Sequence, residues 1–169
     1  MTTTHEPSPE PSSEPSPDAV AHGATPANRP ERTLVAVFDS PVAAFLLRYA
    51  ADAGFRTVLV DPAQGRPVPA DLDDTADVVV TDHHRPELGE VLRDALATRA
   101  RWIGVMGKAS VAPPHVPALR ALGVPEVEIA KVHRPIGLNI GSRTPAEIAV
   151  ATLAGLLADR NGKPGGFAF

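Results

Sequence analysis

The chain has 169 residues, enough for one domain with a packed core and too few for two of ordinary size. With no cysteine it can build no disulfide framework, zinc-thiolate site or thiol nucleophile. A formal net charge of -4 without any Lys/Arg run excludes a broad electrostatic grip on nucleic acid and leaves room for a single phosphate or pyrophosphate.

Residues 1–32, dominated by Pro, Ser, Thr and Glu, have almost nothing large and apolar to bury. They read as a disordered solubilising tail in preference to a Pro-rich ligand for a partner, and His5 and His22 within it receive no role. No apolar run approaches the roughly 20 residues of a membrane-spanning helix, and the N-terminus lacks the basic and apolar regions of a secretory signal. The expectation is a cytoplasmic protein that meets no membrane.

From Thr33 short apolar runs alternate with longer amphipathic segments, marking residues 33–162 as the domain and 163–169 as a flexible C-terminus. TLVAVF reads as a buried strand and SPVAAFLLRYAADAG as a helix, with Ser40 as N-cap, Pro41 in the first turn and Gly54 closing the end. FRTVLVDP is a second strand ending at Asp61, ADVVVTD a third, PELGEVLRDALATRA a helix, and RWIGVMG a fourth strand. Pro113, Pro114 and Pro117 are expected to confine the next helix to the stretch after them. PEVEIAKV reads as a short helix, and PAEIAVATLAGLLADRNG as a final, strongly amphipathic one. Hydrophobic residues make up 43% of the chain and aromatics 4%, a core of Ala, Val, Leu and Ile that suits helices packed on a parallel sheet. The fold class expected is α/β: a Rossmann-like doubly wound parallel sheet in a single domain.

In such sheets ligands bind beyond the carboxyl ends of the strands. The turn after the first strand, Phe38-Asp39-Ser40-Pro41, carries none of the glycines of a dinucleotide loop, and a carboxylate at Asp39 would repel a pyrophosphate. Asp61 stands where a ribose-binding acid would, but reads more simply as a turn at Asp-Pro. Asp82-His83-His84 invites a metal, yet adjacent histidines on an extended segment point apart, so a polar loop with one ligand-contacting imidazole is preferred. No Ser-His-Asp or paired-carboxylate arrangement emerges from spacing. Trp102 and Met106 read as core.

The most informative stretch precedes the last helix. Thr144 with Glu147 forms a capping box and Pro145 fills the first turn. Gly137, Asn139, Gly141 and Arg143 lie just ahead, small residues and a guanidinium near the positive end of a helix dipole. From spacing alone this is equally an anion-facing loop or a well-capped helix after a tight turn.

The run PIGLNIGSRTPAEIAVATLAGLLADR resembles the signature at the end of the Rossmann-like domain of XdhC/CoxI proteins, accessory factors for xanthine dehydrogenase and related molybdenum hydroxylases. The likeness extends back through RWIGVMGK, VVVTDHHRPELGEVLRDAL and GFRTVLVDP. It implies an accessory protein for maturation of a xanthine dehydrogenase-type hydroxylase, binding molybdenum cofactor and docking on the hydroxylase or its maturation factors. It would act by binding rather than turnover, with no catalytic residue and no metal ligands of its own. Asn139, Gly141, Arg143 and Thr144 would form the anion-facing loop, with Gly107, Lys108 and His84 on the neighbouring edge. The family's glycine-bearing first loop, its Thr-His-Asp type sequence and its Gly-Ser-Arg-Arg type turn are replaced by Phe38-Asp39-Ser40-Pro41, Thr81-Asp82-His83-His84 and Gly107-Lys108-Ala109-Ser110. The family's often cysteine-bearing N-terminal domain is not expected in this chain. NAD(P) is not expected, because the glycines it needs are missing. The alternative is a degenerate nucleotide-binding fold kept as a regulatory or protein-interaction module. The sequence leaves a homodimer open.

Overall fold

A computed structural model describes residues 15–24 and 31–166. They divide into two units, residues 1–30 and residues 31–169. In the first, Ser16 caps a short exposed helix, α1 (Pro17–Ala21), its hydroxyl accepting the Ala19 N–H at 3.2 Å. Ser-Pro at its start is the same cap-and-first-turn pair as Ser40-Pro41. The remainder of the expected tail, His5 included, and residues 167–169 lie outside the described residues.

The second unit runs β1 (Thr33–Val37), α2 (Pro41–Asp52), β2 (Arg56–Val60), a 3₁₀ turn (Pro62–Gln64), β3 (Ala76–Val80), α3 (Leu88–Leu96), β4 (Trp102–Val105), α4 (His115–Ala121), α5 (Glu126–Ile129), β5 (Val132–His133) and α6 (Pro145–Arg160). The five strands form one parallel sheet in the order β2-β1-β3-β4-β5, one of the two common doubly wound orders. Val37 stands opposite Val60 on one side and Val80 on the other, so the three strands end level.

β1 and β3 are buried along their whole length, and their alternate side chains feed two separate cores. Val35, Val37, Val78 and Val80 pack with Val91 and Leu92 of α3 and Leu119 of α4. Leu34, Ala36 and Val79 pack with Ala43 and Leu46 of α2 and Ala149, Leu153 and Leu156 of α6. The helix after β1 thus covers one face and the helix after β3 the other, which opens a crevice between the ends of these two strands. Among the described residues no helix is long and apolar enough to cross a membrane.

Three elements differ from the sequence expectation. Val132 leaves the short helix, which ends at Ile129, and enters β5, which pairs with Ile103 and Gly104 of β4; two residues are too few to show alternation in sequence. α4 begins at His115 and takes Pro117 into its first turn, where a missing N–H forfeits no intrahelical bond. α6 is apolar on more than one side: Ala149 and Leu153 meet α2, whereas Ala151 and Gly155 meet the backbone at Gly137 and Leu138. The Trp102 ring is in the core, stacked on His133 with centroids 5.1 Å apart.

The N-terminal end of the sheet is stapled by Asp77, which is fully buried. Its two oxygens each accept a guanidinium Nε–H at 2.7 Å, from Arg101 before β4 and from Arg160 at the end of α6. Arg101 continues to Asp159, and Arg160 donates to the Thr75 carbonyl. Burial pushes the Asp77 carboxyl above its usual range, against the pull of both arginines. Removing the carboxylate would strand two partly buried cations. Asp77→Ala is therefore expected to destabilise the fold by about 3 kcal/mol, read in urea denaturation as a lower midpoint at unchanged slope.

Candidate functional site

The turn after β1 keeps the backbone shape of a glycine loop without the glycine. Phe38 has φ +73°, the only positive φ of a non-glycine among the described residues, and its ring is fully buried. An L side chain in this region costs about 1–2 kcal/mol, here offset by burial of the ring and the Arg85 guanidinium 4.8 Å above it. Ser40 caps α2 by accepting the Ala43 N–H at 3.0 Å, and its hydroxyl lies 3.0 Å from that of Thr81 after β3. The Thr81 hydroxyl is in turn within 3.0 Å of the Val37 and Phe38 carbonyls. These hydroxyls tie the ends of β1 and β3 together where a pyrophosphate would enter.

Asp61, 1% exposed, is committed to the same closure. Its carboxylate accepts the Asp39 N–H at 3.1 Å and both arms of Arg85 at 3.2 and 3.4 Å, and Arg85 also reaches Glu87. Burial alone would raise the Asp61 carboxyl, but the Asp39 amide and the Arg85 guanidinium together hold it below the ordinary carboxylate range. The carboxylate is satisfied within the chain rather than presented to a ribose.

The open space lies on the other side of the crevice. A cleft of about 860 Å³ runs over the ends of β3 and β4 to the N-terminal half of α6. Its wall is apolar, from Val42, Met106, Ile136, Leu138 and Ile148, and its rim carries Asp82, His83, His84, Lys108 and Arg143. The loop from Ile136 is laid directly on α6. Leu138 N–H donates to the Ala151 carbonyl at 3.0 Å, and a Cβ at Gly155 would lie 2.8 Å from the Gly137 Cα.

Of the residues singled out in sequence, Gly107, Lys108, His84, Asn139, Gly141 and Arg143 all border this one cleft although they span 60 positions. Thr144 does not border it. Its hydroxyl accepts the Glu147 N–H at 3.2 Å, while the Glu147 carboxylate accepts the N–H of Thr144 at 3.2 Å and of Arg143 at 2.6 Å. The start of α6 is thus already answered by a carboxylate. The Lys108 ammonium and the Arg143 guanidinium make no ion pair or hydrogen bond within the described residues.

His83, which the sequence reading placed behind His84, is the more enclosed of the two imidazoles; their rings lie 4.1 Å apart. Burial, the neighbouring His84 and Arg134 all hold His83 below the usual histidine range. The Asp82 carboxylate accepts the backbone N–H of His84 at 2.9 Å. Among the described residues no three His, Asp or Glu side chains come together to hold a metal ion. Sequence reasoning missed Arg134, which lies beneath the Gly107 turn and sits next to a proline with no motif to mark it.

Three comparisons bear on this geometry. The family description of the XdhC Rossmann domain matches residues 34–156. An uncharacterised protein of Escherichia coli (strain K12), YqeB, is 34% identical over 89 residues, 53% of this chain and 16% of that protein. A crystal structure of a xanthine dehydrogenase from Bacillus halodurans superposes with a TM-score of 0.61 at 23% identity, covering 79% of this chain and 45% of that one, and shows the same fold. The chain therefore spans less than half the length of either.

Asp61→Asn should lower stability by about 1.5 kcal/mol at neutral pH, the usual scale of a hydrogen bond to a charged group. Because the native carboxyl is held below its unfolded value, the wild type's advantage is complete above about pH 4 and disappears as pH falls through the native value, which denaturation of both proteins across pH 2–7 will read.

Proposed function

The chain belongs to the XdhC Rossmann-domain family, and from that premise we propose that it is an accessory protein for a xanthine dehydrogenase-type molybdenum hydroxylase, receiving molybdenum cofactor in the cleft over β3 and β4. One observation carries the reading: two unpaired cations, Lys108 and Arg143, stand at the rim of a cleft with an apolar wall. A flat heterocycle bearing a phosphate needs that pairing of surfaces, and the volume lies within the roughly 300–1,000 Å³ of small-molecule sites.

The residues fit such a group. Val42, Ile136 and Ile148 offer apolar contact to its ring system, Asn139 and the backbone at Gly141 offer polar contacts at its edge, and Lys108 and Arg143 neutralise its phosphate. The bound cofactor would bring its own molybdenum chemistry; this chain's part is to hold it, shield it from water and present it. His83, held neutral, can accept a proton or a hydrogen bond at the cleft rim. The hydroxylase and its maturation factors are the partners this role requires.

A second reading is a protein-interaction module without a cofactor. Closure of the β1 turn by Phe38, Thr81 and the Asp61–Arg85 pair favours it, because the place where a dinucleotide would enter is filled. Calorimetric titration with cofactor released from a molybdoenzyme separates the two, with NAD and ATP as comparisons. Saturable binding of the cofactor alone, weakened about tenfold in a folded Arg143→Ala variant, is expected; that factor corresponds to about 1.4 kcal/mol. Binding of none of the three would leave the interaction module.

A further inference from the structure

Beneath the turn that joins β4 to α4, three buried nitrogens lack partners among the described residues. Arg134 follows β5, and its Nη1 donates to the Val111 carbonyl at 2.8 Å. Its Nε and Nη2 are buried and meet no acceptor within the described residues. Both press on Gly107: a Cβ there would lie 2.6 Å from Nε and 2.3 Å from Nη2. The third is Nδ1 of His115, a residue only 4% exposed. Leaving charged donors buried and unpaired is costly, and an incoming acceptor would remove that cost.

The position ties these donors to the cleft. Gly107 and Val111, which Arg134 touches, both line it, and the charge of Arg134 acts on His83 at its rim as well as on His115. The competing locus is the start of α6, where Glu147 already takes the N–H groups of Arg143 and Thr144. The turn above Arg134 is lightly held. Residues 108–112 are exposed, and the Val111 N–H to Lys108 carbonyl bond at 3.2 Å is the one backbone bond closing it among the described residues.

We propose that Arg134 is the principal anion-binding side chain of the cleft, its Nε and Nη2 taking two oxygens of a phosphate beside Gly107 and Lys108 once the 108–112 turn lifts. The planar fork of the guanidinium matches a phosphate bidentately, and Lys108 adds a point charge. A side chain at 107 would displace the guanidinium from its resting place. The inference rests on reading the cleft as a receiver of a phosphate group, and not on which cofactor carries that group.

The test is calorimetric titration of the full chain with inorganic phosphate and pyrophosphate at low ionic strength, on wild type, Arg134→Lys and Arg143→Ala. Saturable one-site binding is expected, weakened at least thirtyfold in Arg134→Lys, which keeps the charge and loses the fork, and by no more than about tenfold in Arg143→Ala, which removes a rim cation. In ¹⁵N spectra of the wild type, the Arg134 Nε–H signal should shift and exchange more slowly with solvent as phosphate saturates, a reading that needs no variant to fold. A side chain serving only to hold the turn through Val111 would give a less stable Arg134→Lys protein of unchanged affinity. That result, or the absence of saturable binding by the wild type, or shifts confined to Lys108 and Arg143, overturns the proposal. Anion binding through Arg134 with no affinity for molybdenum cofactor would overturn the cofactor reading and support this one; cofactor binding indifferent to Arg134→Lys would overturn this one alone.

Discussion

The contact between two backbones, Gly137 on Gly155, fixes the wall of the cleft formed by the loop after β5. With no Cβ on either residue the loop after β5 lies flat on α6 and donates Leu138 N–H to a helix carbonyl. That contact sets the apolar wall at Ile136 and Leu138, and it leads Asn139, Gly141 and Arg143 around the rim before the capping box turns the chain into α6. α6 itself is held at its C-terminal end by Arg160 on Asp77. A helix pinned along its length by a close approach and at its C-terminus by a buried ion pair gives the loop ahead of it a firm base.

The ends of the strands divide into two halves of opposite character. On the β1 and β2 side, Asp61 and Glu87 hold one guanidinium, and Asp39 gives its N–H to Asp61 while its carboxylate accepts from Gln64. On the β4 and α6 side, cations outnumber their partners and the wall is apolar. A doubly wound sheet ordinarily receives a ligand across both halves. Here the first half is filled by the protein's own side chains, and the second keeps an open cleft with Lys108 and Arg143 at its rim.

Much of this was legible in the sequence because the signals are local. Ser40-Pro41 and Thr144-Pro145 with Glu147 are complete within four residues, and the apolar runs of β1 and β3 are continuous because both faces of the sheet are covered. The rim residues after β3 and β4 followed from the rule that ligands gather at strand ends. What the sequence hid is what depends on distant approach. Asp61 meets Arg85 across 24 positions and Asp77 meets Arg160 across 83. Arg134 has meaning only because the chain folds Gly107 onto it, and β5 exists only because β4 is there to pair with it. The apolar sides of α6 likewise mislead until the loop at Gly137 is seen to need one of them.

The stack of Trp102 on His133 gives the molecule an optical property of its own. The chain has a single tryptophan, and its indole lies 5.1 Å from an imidazole immediately before Arg134, with the planes 11° apart. The emission of that indole therefore reports the placement of the β5 end and the segment leaving it, while the ring itself stays outside the cleft. Intrinsic fluorescence is therefore placed to respond when a ligand draws Arg134 away from its resting position. The fold thus carries a probe of the β5 end without any added label.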